Sequence, residues 1–223
     1  MKRIFISVLV VVFFGLPSGS ARGETPLAQD MGRVSVGARG GLLWSQIYRA
    51  EGQPGVLAPK TYQRFFAGIG GRWVMAALTD TVRANIHGEL LFSQKGTHLD
   101  NSGSLLGSTN LDYIDIPILL AMELRLSRTF AAYALLGPRV GLLVNADEVG
   151  KDGAVVREAD DFYDTFDLGG IIGVGARYAL SREISVFLEG RYDQGFTNVD
   201  DAAANPGLRN RSFFLVFGVD YEL

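Results

Sequence analysis

The chain has no cysteine, only 7 prolines and only 2 histidines among 223 residues. Without cysteine there is neither a disulfide staple nor a thiolate metal site, which sets aside the small disulfide-built secreted domains and the zinc modules. Long apolar runs are equally scarce. The run from Ile4 to Leu16 falls short of the roughly 20 residues a spanning helix needs, and no later run replaces it. An excess of one charge is missing too: 21 basic against 24 acidic residues leave a formal net charge of -3, with no footprint for nucleic acid. What the chain has in quantity is glycine, 28 residues, and glycine with little proline suits curved strands and crowded backbones better than helices.

The apolar run belongs to a leader. Lys2 and Arg3 give it a positive start, and Pro17 to Gly23 supply the small residues a signal peptidase accepts, with cleavage expected near Ala21 or Gly23. Residues 1–23 are therefore expected to be a signal peptide and residues 24–223 a single exported domain.

Within that domain the dominant pattern has period two. In the segment Ser212–Leu223, the residues Phe213, Leu215, Phe217, Val219, Tyr221 and Leu223 form one apolar face, while Ser212, Gly218, Asp220 and Glu222 lie on the other. Strand side chains alternate between two sides, so such a segment separates an oily from a polar environment. Comparable segments run from about Arg33 to Trp44, Tyr62 to Met75, Val82 to Lys95, Asp112 to Arg125, Phe130 to Val144, Thr165 to Tyr178, Glu183 to Thr197 and Arg211 to Leu223. They predict an all-β fold, an eight-stranded antiparallel up-and-down transmembrane β-barrel, with the even strand number of bacterial outer-membrane barrels. Pro117 and Pro138, which lack a backbone donor, predict a bulge or unpaired positions in the fourth and fifth strands.

The connections alternate in length. Leu78–Thr81, Ser127–Thr129 and Leu180–Arg182 are short, whereas Ser45–Thr61, Gly96–Leu111, Asn145–Asp164 and Asn198–Asn210 are long and polar. Barrels of this class place short turns in the periplasm and long loops outside the cell, so both chain ends are expected on the periplasmic side.

The chemistry of the two registers says which one faces lipid. The polar register collects Arg39, Arg64, Arg72, Arg83, Arg139, Arg177 and Arg191 with Glu89, Asp115, Glu123, Asp167, Glu189, Asp193 and Asp220. Hydrocarbon cannot solvate these groups, and an eight-stranded barrel has an interior just wide enough for side chains to fill, so a packed ion-pair network is expected in the lumen. Gly169, Gly173 and Gly175 on the same register leave room for arginine and aromatic side chains crossing it. The apolar register carries Trp73, Tyr178 and Tyr221 toward the short turns and Trp44, Phe92, Phe166 and Phe213 toward the long loops, two girdles at the expected bilayer interfaces.

Paired carboxylates near His87 raise the question of acid–base chemistry. No set of nucleophile, base and orienting group follows from the spacing, and arginine-matched carboxylates are the ordinary filling of a polar lumen, so His87 is expected to be a hydrogen-bonded core residue. Catalytic, cofactor-binding and metal-ligating residues are each expected to be none, and the protein no enzyme. The acidic segment 145–164, with Asp147, Glu148, Asp152, Glu158, Asp160, Asp161 and Asp164, lacks the spacing of an EF-hand and is expected to be a solvated loop.

Five stretches, Glu89–Gly96, Tyr113–Leu120, Gly137–Gly141, Asp167–Gly175 and Glu189–Gly195, resemble in order the signatures of PorT-type outer-membrane β-barrel domains. The resemblance covers the chain from about Arg33 onward. It departs at the last residue, Leu223, where many outer-membrane proteins carry phenylalanine. It implies a barrel of the OmpX or OmpA membrane-domain kind in the cell outer membrane, in contact with lipid and lipopolysaccharide. The expected function is non-enzymatic, with four long loops presented for surface binding or envelope organisation by a monomer. A component of envelope secretion or assembly, as PorT itself is, and a small-ligand transporter or lipid-modifying enzyme are the alternatives.

Overall fold

The computed structural model describes residues 32–49, 58–101, 104–150, 154–158, 164–198 and 208–223. The expected leader lies outside the described residues. Eight long strands form the wall: β1 (Val34–Arg49), β3 (Tyr62–Ala77), β4 (Val82–Asn101), β5 (Ser104–Arg125), β6 (Phe130–Gly150), β8 (Phe166–Ala179), β9 (Ile184–Gly195) and β10 (Leu208–Glu222). Each pairs antiparallel with its sequence neighbour among these eight, and β1 pairs with β10, which closes the sheet into an up-and-down barrel. Two short strands, β2 (Ala58–Lys60) and β7 (Val155–Glu158), add to the outer margins of β4 and β6.

The three tight turns share one construction. In Leu78–Val82, Leu126–Phe130 and Leu180–Ile184 the leucine N–H donates to the carbonyl four residues on, at 2.9, 3.0 and 2.9 Å. The next residue, Thr79, Ser127 or Ser181, accepts from the backbone N–H three residues further on, at 3.0 Å in each case. A hydroxyl that replaces a backbone partner is the ordinary Ser/Thr turn device.

At the opposite end the strands continue well past the expected boundaries. β4, β5 and β6 hold 20, 22 and 21 residues, against 14 and 12 in β8 and β9. Crossing a bilayer takes about 9–11 tilted residues, so the excess of β4–β6 projects beyond the membrane as a sheet, flanked by β2 and β7. Most of Gly96–Leu111 and the start of Asn145–Asp164, expected as loops, are therefore ladder-paired strand. One face of this extension stays buried, with Thr97 and Thr109 each 4% exposed, but the residues on it are small and polar. The contrast between an oily and a polar face is therefore lost there, although the backbone pairing continues.

The registers fall as expected. Outward residues include Ile69, Ile172 and Val174, which are 63%, 63% and 65% exposed, while the polar register points in. Trp73, Tyr178 and Tyr221 ring the turn end, and Phe92, Phe166 and Phe213 the loop end. Pro117 and Pro138 sit at a lapse in the β5–β6 ladder between Pro117–Arg139 and Leu120–Leu136, with the register unchanged across it. They produce unpaired positions there. The bulge in this strand pair lies elsewhere, between Asp112 and Tyr113.

Leu215 faces outward and Val216 is wholly buried in the lumen. Leu215→Arg is expected to cost about 2 to 4 kcal/mol, the range for a cation on the lipid face near the midplane. Val216→Arg should act through crowding, and equilibrium unfolding in lipid bilayers of two thicknesses separates the two: only the Leu215 variant should respond to the change of hydrocarbon.

Candidate functional site: an ion-paired lumen

Strand parity delivers the charged side chains to the lumen, and the hydrogen-bond ladder sets their heights. They gather in two clusters with an apolar layer between. Along β4 the order is Glu89, Leu91, Lys95; along β6 it is Tyr133, Leu135, Arg139; along β8 it is Arg177, Ile171, Asp167.

The cluster nearer the loops is organised on Arg139. Its Nε donates to Asp193 at 3.0 Å, Nη1 to Asp115 at 2.8 Å and Nη2 to Asp167 at 2.8 Å. Lys95 Nζ lies 3.0 Å from Asp115 and 3.2 Å from Asp193, with the Tyr113 ring 5.1 Å away. Asn210 donates to Asp167 at 2.9 Å and to the Tyr113 hydroxyl at 3.3 Å. Three carboxylates thus share two cations and one amide, and the side chains of this knot come from six strands.

The cluster nearer the turns is built on Glu89. Arg191 grips it with two nitrogens at 2.6 and 2.8 Å, and Arg39 Nε lies 3.0 Å from the same carboxylate. Glu189 accepts from Arg191 Nε at 2.6 Å and from the Tyr133 hydroxyl at 2.6 Å. Arg177 pairs with Glu123, and Asp220 lies between Arg39 at 3.5 Å and Arg177 at 3.8 Å.

The layer between the clusters is apolar. Leu43, Phe66, Leu91, Phe187, Phe214 and Val216 pack as one group, with the Phe66 and Phe214 rings edge to face at 5.1 Å. Leu119, Ala121, Leu135 and Ile171 pack with Tyr133 as another. A void of about 10 Å³ remains between Arg139, Arg191 and Phe214, no more than one water needs. The glycines cradle the large side chains as expected. A Cβ at Gly169 would stand 2.6 Å from Arg139 Nη2, and one at Gly175 2.6 Å from the Tyr133 ring.

Thirteen of the fourteen charged residues expected inside are buried there. The exception is Arg64, half-buried near the loop end, where it donates to the Tyr62 hydroxyl at 3.1 Å and stacks on that ring. Lys95 takes its place in the network. Lys95, Tyr113, Tyr133 and Asn210 were not expected as members, although the parity of Lys95 with Glu89 and of Tyr113 with Asp115 marks both as inward. His87 is buried, as expected, but its ring packs edge-on to Tyr133 at 6.0 Å and neither nitrogen meets a protein partner. The expected hydrogen bond is not made: the charged groups around the ring are the arginines Arg177, Arg39, Arg191 and Arg72. Among the described residues, no group of three or more His, Asp or Glu side chains is arranged to hold a metal ion. Asp152, Asp160 and Asp161 of the acidic segment lie outside the described residues.

A closed barrel with oil outside and ions within is the geometry of a membrane-spanning β-protein, and the family comparison agrees: the model for the outer membrane protein beta-barrel domain matches residues 27–201. The chain belongs to this family. As an outer membrane beta-barrel domain, it resides in the bacterial outer membrane. Its fold is similar to that of OprG from Pseudomonas aeruginosa, with 15% identity, 87% of this chain and 98% of that chain covered and a TM-score of 0.49. It is also similar to Neisserial surface protein A, with 15% identity, coverages of 85% and 97% and a TM-score of 0.47. Outer Membrane Protein W of E. coli aligns with 13% identity, coverages of 87% and 100% and a TM-score of 0.42. Comparison with curated proteins finds no match.

In this beta-barrel domain two ion-paired clusters and an apolar layer occupy the lumen. The buried carboxylates of Glu89, Asp115, Glu123, Asp167, Glu189, Asp193 and Asp220 each face an arginine, lysine, asparagine or tyrosine, and an apolar layer lies between the two clusters.

Proposed function

We propose that this outer-membrane barrel is a non-enzymatic, monomeric platform whose loop end binds a partner at the cell surface or helps organise the envelope. The observation that carries the reading is the contrast between the two parts: a lumen filled by ion pairs and apolar side chains, and a β4–β5–β6 sheet extending past the bilayer. Rigid scaffolds commonly present recognition segments in this way, and an edge or face of a projecting sheet suits backbone or side-chain recognition. In this reading the leader 1–23 is removed, both chain ends face the periplasm, and outer-leaflet lipopolysaccharide surrounds the projecting sheet. The order of the five motifs supports the finer PorT-type affiliation. It also keeps a role in envelope secretion or assembly as the second reading.

Photocrosslinking in living cells separates them. A photoreactive residue at Val149, on the projecting sheet opposite Ser108, is expected to capture a partner, and replacing residues 97–109 by a two-residue turn should abolish capture while leaving barrel yield unchanged. Capture only from Arg128, on a short turn, would reject the surface reading in favour of periplasmic assembly.

A further inference from the structure

The turn end of the barrel is hollow. A vestibule of about 1280 Å³ opens there, walled by the inward ends of the strands and by the turns at 126–129 and 180–183. Its depth is set with Arg72, Arg83 and Arg177, and its rim with Arg33, Arg125, Arg128 and Arg182. Among the described residues, Glu123, Glu183 and Glu222 share this lining, and Asp220 lies just beyond it, 3.8 Å from Arg177. Two of the three glutamates are already engaged, Glu123 by Arg177 and Glu222 by Arg33 at 2.7 Å.

Arg72 is the telling residue. It is 7% exposed, no ion pair joins it to a carboxylate among the described residues, and its buried Nε meets no acceptor. Glu123, Asp220 and Glu222 act on it from beyond ion-pair distance, and a buried N–H left without an acceptor is costly. Arg72, Arg128 and Arg182, none of them in an ion pair with a carboxylate among the described residues, leave donors facing the vestibule. Its shape narrows the choice. A bilayer headgroup cannot reach Arg72 sideways, because the closed wall stands between lipid and lumen. Nor does a lone phosphate match the space, which exceeds the roughly 300–1,000 Å³ of pockets that enclose drug-sized ligands. Apolar groups of Val74, Ala131, Ala179 and Ile184 share the lining with the arginines. An extended chain is thin enough to enter so narrow a barrel, and guanidinium forks match carboxylates in bidentate geometry.

We propose that this vestibule binds an acidic peptide segment, with carboxylates on Arg72 at the floor and on Arg128 and Arg182 at the rim. If the turns face the periplasm, the ligand is a periplasmic polypeptide. The binding itself depends neither on that orientation nor on what the loop end recognises.

The test is fluorescence anisotropy of fluorescein-labelled hexaglutamate with the full mature barrel in nanodiscs of neutral lipid. Saturable binding is expected, weakening as salt screens the charges. Arg128→Gln/Arg182→Gln changes only exposed turn side chains and should raise the dissociation constant by about tenfold; adding Arg72→Gln should raise it further. Arg64→Gln, at the opposite end, should leave it unchanged. The shift in electrophoretic mobility between boiled and unboiled protein confirms that every variant is folded. No hexaglutamate binding, or binding indifferent to the rim variant, overturns the proposal. So does competition by pyrophosphate at equal strength, which would make the site one for inorganic anions, or competition by phosphatidylglycerol vesicles, which would make it a lipid site.

Discussion

Arg139→Leu is expected to remove about 3 to 5 kcal/mol of unfolding free energy, the range for breaking a buried ion pair from one side. The reason is local. Arg139 touches Asp115, Asp167 and Asp193 at once, and without it three carboxylates share Lys95 and the Asn210 amide in a lumen closed to water. Urea unfolding of refolded protein in bilayers measures the loss, and Arg139→Leu combined with Asp167→Asn and Asp193→Asn should recover most of it because the stranded charges go too. Arg64→Leu, at a half-exposed site whose polar partner is a tyrosine hydroxyl, is expected to cost about 1 kcal/mol or less. Equal losses at the two positions would show that the clusters contribute nothing particular to stability.

In planar bilayers the unaltered protein is expected to give no resolvable current. Leu43, Phe66, Leu91, Phe187, Phe214 and Val216 pack together across the lumen, and the void beside Arg139 is about 10 Å³, room for no more than one water. Arg39→Ala/Arg139→Ala/Arg191→Ala should convert silence into discrete current steps. Three of the largest inward side chains are then gone, while Glu89, Asp115, Glu189 and Asp193 remain as rings of negative charge, so the opened pore should prefer cations. Steady conductance from unaltered protein would contradict the filled lumen and favour a transporter. Folded triple variant without current would mean that the apolar layer of Leu43, Phe66 and Phe214 seals the barrel by itself.

The wall and its contents were readable because the membrane imposes a strict rule. Where lipid touches one face and ions fill the other, residue parity states the orientation of each side chain, and thirteen of fourteen charged residues obeyed it. The rule lapses outside the bilayer, so the outer halves of β4, β5 and β6 read as polar loops although their backbones stay paired. Partnership inside the lumen was less legible than placement. Parity puts Arg139 and Arg191 inside, but strand tilt and the bulge between Asp112 and Tyr113 decide which carboxylate each one reaches. Arg64 shows the limit: it has the right parity, yet it lies too near the loop end to be enclosed. The common turn in Leu78–Val82, Leu126–Phe130 and Leu180–Ile184 was present in the letters as Leu-Ser/Thr followed three positions later by an aliphatic or aromatic residue. Its meaning depends on a hydroxyl geometry that only the folded backbone reveals.

The first and last strands meet along a seam, and charge compensation straddles it. Arg39 of β1 relies on Asp220 of β10 and on Glu89 of β4, and Asn210 of β10 serves Asp167 of β8. A half-curled sheet entering the bilayer would therefore expose ions to oil with their counterparts still elsewhere. Such a species is strongly disfavoured in hydrocarbon. Closing the seam and pairing these charges are therefore linked: neither is complete without the other.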